Sequence, residues 1–514
     1  MVLELTRGKS SKRGKSIARL LESVVFFALL TLIPLVAIPY GAADPWWQAF
    51  FDAAVFGLAV LWLIEGYLSG SWNFSTYFLL LPLLVLTGFA FLQTVPLTGS
   101  SNESLDFGKT MWHVVSADPH GTRQWVAKML ALILVAAMLL RYTSQRRRLV
   151  ALVCVVVGVA LASAIFGLLR ETAQVEVSST LSQLPPGSSY GQFINKNHFA
   201  FLMEMALGLM LGLAVGRGLT RDRLIFCLAI ALMLGGVLVL ANSRGGVLSL
   251  LGQVLFAAVL FSSRKPGRDP STSEHGVRGW AQRFVGSYVG RALMIFCFLA
   301  VIVIGIKWIG GAPLADALER MPKEVAAQTE GTSSSRRLDI WQATWRLIRD
   351  HPVAGAGFGG YWMAITSYPG ISGESVPQEA HNDYLEFFAS GGLIGGILGG
   401  WFLYAFFRRA RSRLGASDRF VRAARFGALL GLAGVAIHSL VDYGLHIPIN
   451  AVICTSLIVI ATADIARRHD VNPVPGRAAN AEPRQPPKLR KSSRALLSLR
   501  HPLGDHLFSC RRQF

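Results

Sequence analysis

The chain has 514 residues, of which 52% are hydrophobic and only 16% are charged, and its formal net charge is +20. Soluble domains carry about a quarter charged residues, and disordered chains are poor in hydrophobic residues. The composition therefore excludes both a multidomain soluble enzyme and a disordered protein, and its recurring apolar runs of about 20 residues predict an all-α, polytopic transmembrane helical bundle.

About twelve apolar segments are long enough to cross a membrane. These predicted spans are 21–40, 49–68, 75–95, 124–141, 148–169, 198–216, 222–241, 245–262, 291–310, 388–407, 424–441 and 447–466. Together they form a predicted transmembrane domain, residues 21–466, which follows a basic N-terminus, residues 1–20. Residues 467–514 form a basic tail rich in proline, arginine and serine, which indicates a disordered cytoplasmic segment.

The basic residues predict the orientation of these spans. When both termini are placed in the cytoplasm, 37 of the 50 lysine and arginine residues fall in inside segments, in agreement with the positive-inside rule. This distribution explains the net charge through contact with membrane lipids and without nucleic acid. Residues 170–197 and 311–387 then become periplasmic, and the second of these is a large loop predicted to contain short helices. No cysteine falls in an outside loop, so we expect no disulfide.

Polar residues collect in three segments on the predicted periplasmic side. They are Asn195, Lys196, Asn197 and His198 at the end of loop 170–197, Arg244 in the turn 242–246, and Arg336, Arg337, His381, Asn382, Asp383 and Glu386 in loop 311–387. The orientation rests on the basic residues of other segments, so this convergence is an independent observation. It makes these side chains candidates for one site.

The arginines are the first candidates for that site. Arg244 lies between two strongly apolar spans, where an exposed charge is costly, and Gly245 and Gly246 permit close backbone approach. A functional arginine is favoured, and the alternative is one that snorkels to lipid headgroups or caps the turn. Arg336 and Arg337 precede an amphipathic pattern that predicts a helix on the membrane surface. The alternative there is an ordinary basic helix face against lipid.

His381 is the best candidate for a general base. Imidazole changes protonation near neutral pH and can accept a proton from a hydroxyl group. Asp383 and Glu386 are close in sequence, and either can orient the ring. The alternative is a structural histidine at the lipid interface. His198, the first residue of a predicted span, is a second candidate, with a helix-end or substrate-contact role.

Other patterns favour structural roles or leave the role open. His438 and Asp442 are spaced to share one helix face at the outer end of a span, where helix pairing and catalysis are equally supported. Glycines that repeat every four residues over 391–400 predict a helix-packing face. The glycine-rich run 355–360 follows no strand, so it predicts a flexible turn and not a dinucleotide site. No Asp-x-Asp and no His/Cys cluster with ligand spacing occurs, so no metal is predicted.

An outward-facing cationic pocket with a histidine suits an anionic substrate embedded in the membrane. Arginines can grip a diphosphate and stabilise the charge that develops as it leaves, and a neutral histidine can deprotonate an attacking hydroxyl. These residues fit glycosyl transfer from a lipid-diphosphate donor. They also fit a transporter or flippase of lipid-linked glycan, which would show polar groups at mid-membrane and inverted repeats.

Several motifs resemble the bacterial O-antigen ligase and polymerase family. They are residues 192–200 (QFINKNHFA), 243–246 (SRGG), 337–341 (RLDIW) and 381–386 (HNDYLE), followed by 438–443 (HSLVDY) and 447–450 (IPIN). Their order and the large loop before the histidine also match. The resemblance covers about 190–450, whereas the N-terminal third is similar in hydropathy only.

The resemblance implies a multi-span glycosyltransferase of the bacterial inner membrane that needs no cofactor and no metal. Members move a glycan from undecaprenyl diphosphate to a hydroxyl acceptor at the periplasmic face, which is lipid A–core, a growing glycan or a protein. By this resemblance Arg244 and Arg337 hold the diphosphate and His381 activates the acceptor. Arg336 is adjacent to Arg337 and is an alternative counterpart. The ligase, polymerase and protein-modifying activities remain open.

Overall fold

A computed structural model describes residues 12–38, 40–70, 72, 74–96, 114–173, 189–216, 218–262, 333–368 and 377–465. Within these ranges the chain forms helices and turns, and the β-type contact found there is an isolated bridge between Tyr190 and Phe193. The all-α prediction is confirmed. The α-helices are α1 (Lys12–Ala37), α2 (Pro45–Ser69), α3 (Leu81–Leu92), α4 (Pro119–Tyr142), α5 (Arg146–Ala173), α6 (Lys196–Val215), α7 (Arg221–Leu240), α8 (Arg244–Ser262), α9 (Ser333–Asp350), α10 (Tyr361–Ala364), α11 (Asp383–Arg413), α12 (Arg419–His438) and α13 (Pro448–Thr462). Short 3-10 helices cover Tyr40–Ala42, Phe74–Leu79, Ile365–Ser367 and Gly444–His446.

Eight of the described helices are long and apolar enough to cross a membrane, namely α1, α2, α4, α5, α6, α7, α11 and α12. Helices α3 and α13 and the Arg244–Ala257 part of α8 are apolar but shorter. The predicted span 75–95 is a 3-10 helix over Phe74–Leu79 and becomes α-helical at Leu81, with Pro82 in the first turn. The predicted span 447–466 is shorter than expected because α13 ends at Thr462. The predicted span 291–310, the tail 467–514 and most of the N-terminus 1–20 lie outside the described residues.

Helices α6 and α12 pack most closely at two glycine pairs. A Cβ atom added to Gly208 would lie 2.2 Å from the backbone N of Gly431, and one added to Gly212 would lie 2.1 Å from Cα of Gly427. Small residues at these positions let the two backbones approach. The pairing is antiparallel, so the beginning of α6 lies beside the end of α12. This places the segments that begin at Asn195 and end at His438 at the same end of the bundle.

Helix α9 packs against protein along the face that the amphipathic pattern assigns to the membrane surface. Ile340 and Leu347 are buried in a small core with Tyr361, Ile365 and neighbouring alanines, whereas Trp345 is 57% exposed. The helix therefore uses part of its apolar face to pack against residues 356–365 and against Ala380 and Ala389. Residues 351–368 supply an apolar partner for this face, and the place of the helix on the membrane surface stays a prediction.

The two glycine-rich patterns also fold differently from their predicted roles. Residues 355–358 are buried, and a Cβ atom on Gly355, whose φ is +69°, would lie 2.3 Å from the backbone of Ser390. The segment is a packed corner and not a free turn. Gly392, with φ +57°, interrupts α11, while Gly391 and Gly395 contact the ring of Phe358. These glycines accommodate an aromatic ring and a helix break rather than a second helix.

Candidate active site

His381 lies on a tight turn that immediately precedes α11. Its φ is +48°, a conformation that is uncommon for residues other than glycine. The carboxylate of Glu386 accepts a hydrogen bond from the backbone N–H of Ala380 at 2.9 Å, and the side chain of Asn382 caps the first turn of α11 while donating to the carbonyl of Leu440 at 2.8 Å. The turn is therefore held on both sides of His381, as expected for a strained residue at a functional site.

Helix α9 is attached to the same turn. The indole Nε1 of Trp341 donates a hydrogen bond to the carbonyl of Ala380 at 3.0 Å. Since Trp341 lies one helical turn after Arg337, this contact places the arginine beside the histidine turn. Arg336 belongs to the same helix, but its side chain lies outside the described residues.

The carboxylate of Asp442 joins several of these groups. It lies in the connection after α12, and its side chain is only 2% exposed. One carboxylate oxygen lies 3.5 Å from Nδ1 of His381, and the other lies 3.7 Å from a guanidinium nitrogen of Arg337 and accepts a hydrogen bond from Asn197. Burial opposes ionisation, yet contact with His381 and the charge of Arg337 outweigh it and hold the pKa of Asp442 well below its ordinary value. Asp442 is therefore ionised at neutral pH.

The beginning of α6 forms another wall of the site. Asn195 caps this helix through its side chain, and Lys196 at the first helical position is half-buried. The ring of Tyr443 is in edge contact with His198 and with His381, with both centroid distances 4.9 Å. Burial and the nearby carboxylates raise the pKa of Tyr443, so its phenol stays protonated. The aromatic contact fixes His381 beside the helix end.

Arg244 opens α8 at the same end of the bundle, and its side chain is exposed. The following residue, Gly245, packs so tightly that an added Cβ would lie 2.4 Å from Nε2 of His438 and 3.2 Å from a methyl group of Val441. His438 is fully buried, and its Nδ1 lies 3.0 Å from the carboxylate of Glu204. The turn that carries Arg244 thus packs on the segment that carries Asp442, and His438 supports this contact from the interior.

The carboxylates nearest His381 in sequence do not orient its ring. Asp383 accepts a hydrogen bond from the hydroxyl of Ser439 at 2.6 Å, while Glu386 binds the N–H of Ala380 and lies 3.3 Å from His446. The expectation that Asp383 or Glu386 positions the imidazole is wrong. Both belong to the first turn of α11, which points their side chains toward the bundle, whereas the ring of His381 reaches Asp442.

Sequence reasoning missed four residues of this region: Glu379, Tyr443, His446 and Lys128. The carboxylate of Glu379 lies within the electrostatic reach of His381, Asp442 and Lys128, and burial raises its pKa. The side chain of His446 is 40% exposed, and its partial removal from water, together with the charges of Lys128 and His198, lowers its pKa. Of these four residues, only Tyr443 could be singled out from its sequence neighbours, because it is the last residue of the 438–443 motif. The others become visible only when α4, the segment before α11 and the connection between α12 and α13 are brought together.

The arrangement combines a buried anion with an imidazole and a guanidinium that are both partly exposed. The side chains of His381 and Arg337 are 29% and 21% exposed, so each can meet a ligand while contacting Asp442. Within the described ranges, no group of three His, Cys, Asp or Glu side chains is placed to hold a metal ion. The geometry is suited to proton transfer and to binding of an anion.

Comparison with known proteins supports one family. Residues 228–400 match the family model Wzy_C, described as O-antigen ligase. This stretch is about a third of the chain and includes Arg244, Arg337 and His381, whereas Asp442 lies beyond it. A search of curated proteins found no match. Together with the multiple apolar helices, the family match supports assignment of this membrane protein to the O-antigen ligase and polymerase family.

Proposed function

We propose that this protein transfers a glycan from undecaprenyl diphosphate to a hydroxyl acceptor at the periplasmic face of the bacterial inner membrane. The observation that carries the proposal is the placement of His381 and Arg337 on opposite oxygens of the buried Asp442 carboxylate. The family match supports the coarser statement that the reaction is glycosyl transfer of the O-antigen ligase or polymerase type.

The proposed chemistry follows from the contacts of His381. When Nδ1–H donates to Asp442, the lone pair on Nε2 is available to take the proton of the acceptor hydroxyl. The hydroxyl oxygen then forms a bond to the anomeric carbon, and the bond from that carbon to the diphosphate oxygen breaks. The diphosphate leaves with the electron pair. Arg337 and Arg244 stabilise the charge that develops on it, and Asp442 stabilises the imidazolium that forms.

A transporter or flippase of lipid-linked glycan is the second candidate function. The described structure offers it less support, because the ionic cluster of His381, Arg337 and Asp442 lies at helix ends and in connections, whereas transporters bind substrate near mid-membrane. An assay in detergent separates the two functions, since a micelle has no compartments. Purified full-length protein, in EDTA, is supplied with undecaprenyl-diphosphate-linked glycan and separately with lipid A–core, a glycan or a serine-containing peptide.

The enzyme proposal requires a new glycosidic bond and release of undecaprenyl diphosphate in at least one of these reactions. The acceptor that is consumed identifies the branch: lipid A–core indicates a ligase, a glycan indicates a polymerase and a peptide indicates protein modification. If no acceptor is glycosylated but the lipid-linked glycan crosses the bilayer of reconstituted vesicles, the protein is a transporter and the enzyme proposal is wrong.

Replacement of Arg244 by alanine should reduce transfer about a hundredfold, because loss of a preorganised contact to developing charge has an effect of this size. Arg244→Lys should restore only part of the rate, since an ammonium lacks the two-pronged guanidinium. Arg221→Ala is the matched control, because Arg221 is the exposed first residue of α7 as Arg244 is of α8. Near-normal transfer by Arg244→Ala would reduce this arginine to a topological or packing role.

The proposed orientation is tested by labelling with a thiol reagent that does not cross membranes. Ser334→Cys, in the predicted 311–387 loop, should react in cells whose outer membrane is permeabilised, whereas Ser417→Cys, between α11 and α12, should react only after lysis. The five native cysteines are replaced by serine beforehand, and full labelling of both variants after lysis serves as the control. Labelling of Ser417→Cys but not Ser334→Cys in unlysed cells would invert the topology.

A further inference from the structure

A fully buried carboxylate lies inside the helical bundle, deeper than the candidate active site. Glu204 belongs to α6 and lies about 12 Å along this helix from its first residue, Lys196. An ionisable group at such a position is costly and needs a partner. That partner is His438, the last residue of α12. Its Nδ1 lies 3.0 Å from the carboxylate, and both side chains are 0% exposed. The proposed transfer reaction uses neither group.

The imidazole of His438 is held by two residues of α6. The ring of Phe201 is stacked on it, with a centroid distance of 4.0 Å and an interplanar angle of 12°. This stacking fixes the plane of the imidazole, and the hydrogen bond to Glu204 selects its orientation within that plane. The Nε2 edge then faces the first turn of α8, where a Cβ atom added to Gly245 would lie 2.4 Å from Nε2. The imidazole is therefore a fixed surface on which α8 begins.

Three small or polar residues attach α8 to this pair of helices. Gly245, Ser249 and Gln253 are four residues apart and buried, so they lie along one face of α8. The amide of Gln253 donates a hydrogen bond to the backbone carbonyl of Glu204 at 2.9 Å. A Cβ atom added to Gly434 of α12 would lie 2.2 Å from the same amide and 2.8 Å from Oγ of Ser249. Close approach and a polar contact thus hold α8 against both α6 and α12.

The backbone of Arg244 lies between two buried neighbours. On one side, the hydroxyl of Ser243 is buried and accepts a hydrogen bond from the N–H of Gly246 at 3.2 Å. On the other side, Gly245 packs on the imidazole of His438. The side chain of Arg244 is exposed between them. The place of its guanidinium is therefore set by how the first turn of α8 rests on His438.

We propose that Glu204 is a positioning residue for Arg244. It orients the imidazole of His438, and the imidazole sets where the first turn of α8 lies and where the guanidinium meets the diphosphate. The inference rests on the proposed function, in which Arg244 stabilises the charge that develops on the leaving diphosphate. Glu204 and His438 act through α8 and not on the substrate, since both side chains are fully buried.

Glycan transfer by variants of the full-length protein tests this role. Glu204→Leu removes the hydrogen bond and should lower the rate about tenfold to a hundredfold, because an error of about 1 Å in the place of a catalytic group can have an effect of this size. Glu204→Gln should keep most of the rate, since an amide can bond to the imidazole whichever group donates. Gly245→Ala should lower the rate as Glu204→Leu does, because its Cβ displaces α8 from His438. Gly236→Ala on α7, where an added Cβ meets open space, is the matched control.

Coupling to Arg244 separates positioning from a general loss of structure. In an Arg244→Ala background, Glu204→Leu should cause little further loss, because the group that it positions is already absent. In an Arg337→Ala background, the loss should be about as large as in the unmodified protein. If Glu204→Leu does not fold, Gly245→Ala is measured in the same two backgrounds. Equal losses in both backgrounds would overturn the proposal, as would a loss in Glu204→Gln that matches the loss in Glu204→Leu.

Hydrogen–deuterium exchange measures the same contact without donor or acceptor. The backbone N–H groups of residues 246–248 should exchange faster in Glu204→Leu than in Glu204→Gln or the unmodified protein, while those at the beginning of α4 should be unchanged. Unaltered exchange at the beginning of α8 would overturn the positioning role even if transfer falls. Faster exchange there, combined with no transfer by the unmodified protein, would contradict the proposed function while supporting the contact from Glu204 through His438 to α8.

Discussion

His381→Ala is expected to remove glycan transfer while leaving binding of the lipid-diphosphate donor intact. Loss of a general base typically lowers a rate by about 100- to 10,000-fold, whereas the diphosphate contacts are assigned to Arg244 and Arg337. His381→Asn should not restore the rate, because an amide cannot accept the proton from the hydroxyl group. Turnover in the EDTA-containing detergent assay and donor binding by the same purified protein measure the two effects.

The matched control for this variant is His120→Ala, since His120 is exposed at the beginning of α4 and its ring forms a hydrogen bond with the neighbouring side chain of Gln124. If His381→Ala retains more than about a tenth of the normal rate, the base lies elsewhere, and His198 and His438 are the next residues to replace. A parallel loss of donor binding would instead assign His381 to the diphosphate site.

Asp442→Asn should lower the turnover rate about a hundredfold or more, even though the side chain keeps its size. The neutral amide cannot stabilise the imidazolium that forms during proton transfer, and an amide in place of such a carboxylate can select the wrong imidazole tautomer. Donor affinity should be unchanged or higher, because Arg337 loses an anion that competes with the diphosphate. Separate measurement of kcat and of donor binding tests both expectations.

Coupling between the two residues gives a stricter test. If Asp442 acts through His381, the double variant Asp442→Asn/His381→Ala should be no slower than His381→Ala alone, since residues that act as a unit are not additive. Asp222→Asn, at an exposed position in the first turn of α7, is the control for loss of one carboxylate. If the rate losses of the two single variants multiply in the double variant, Asp442 acts independently of His381. If Asp442→Asn lowers both donor binding and Tm, the substitution has disrupted the structure of the site.

The membrane class of the protein was determined by sequence alone, because hydropathy and charge act locally. A run such as residues 148–169 must be helical in lipid whatever its neighbours are, since every backbone group must be bonded within the segment. The motifs around Arg244 and His381 likewise carry their family signature in adjacent residues. The match over 228–400 bears out that resemblance.

The partner of His381 was decided only by tertiary structure. Asp383 and Glu386 are nearer in sequence, but the first turn of α11 directs them to Ser439 and to the N–H of Ala380. The carboxylate that lies next to the ring belongs to Asp442, in the connection that follows α12. Glycine pairs that no linear pattern marked hold α12 against α6.

The same physical reason explains why Asn197 and Asp442, 245 residues apart in the chain, share a hydrogen bond. Hydropathy along one helix specifies that it is buried in a membrane, but not which neighbour it meets or at what height. Those choices depend on how closely two backbones can approach and on which polar groups must be satisfied away from water. Only when α6, α9, α11 and α12 are packed together does one buried carboxylate acquire a histidine, an arginine and an asparagine.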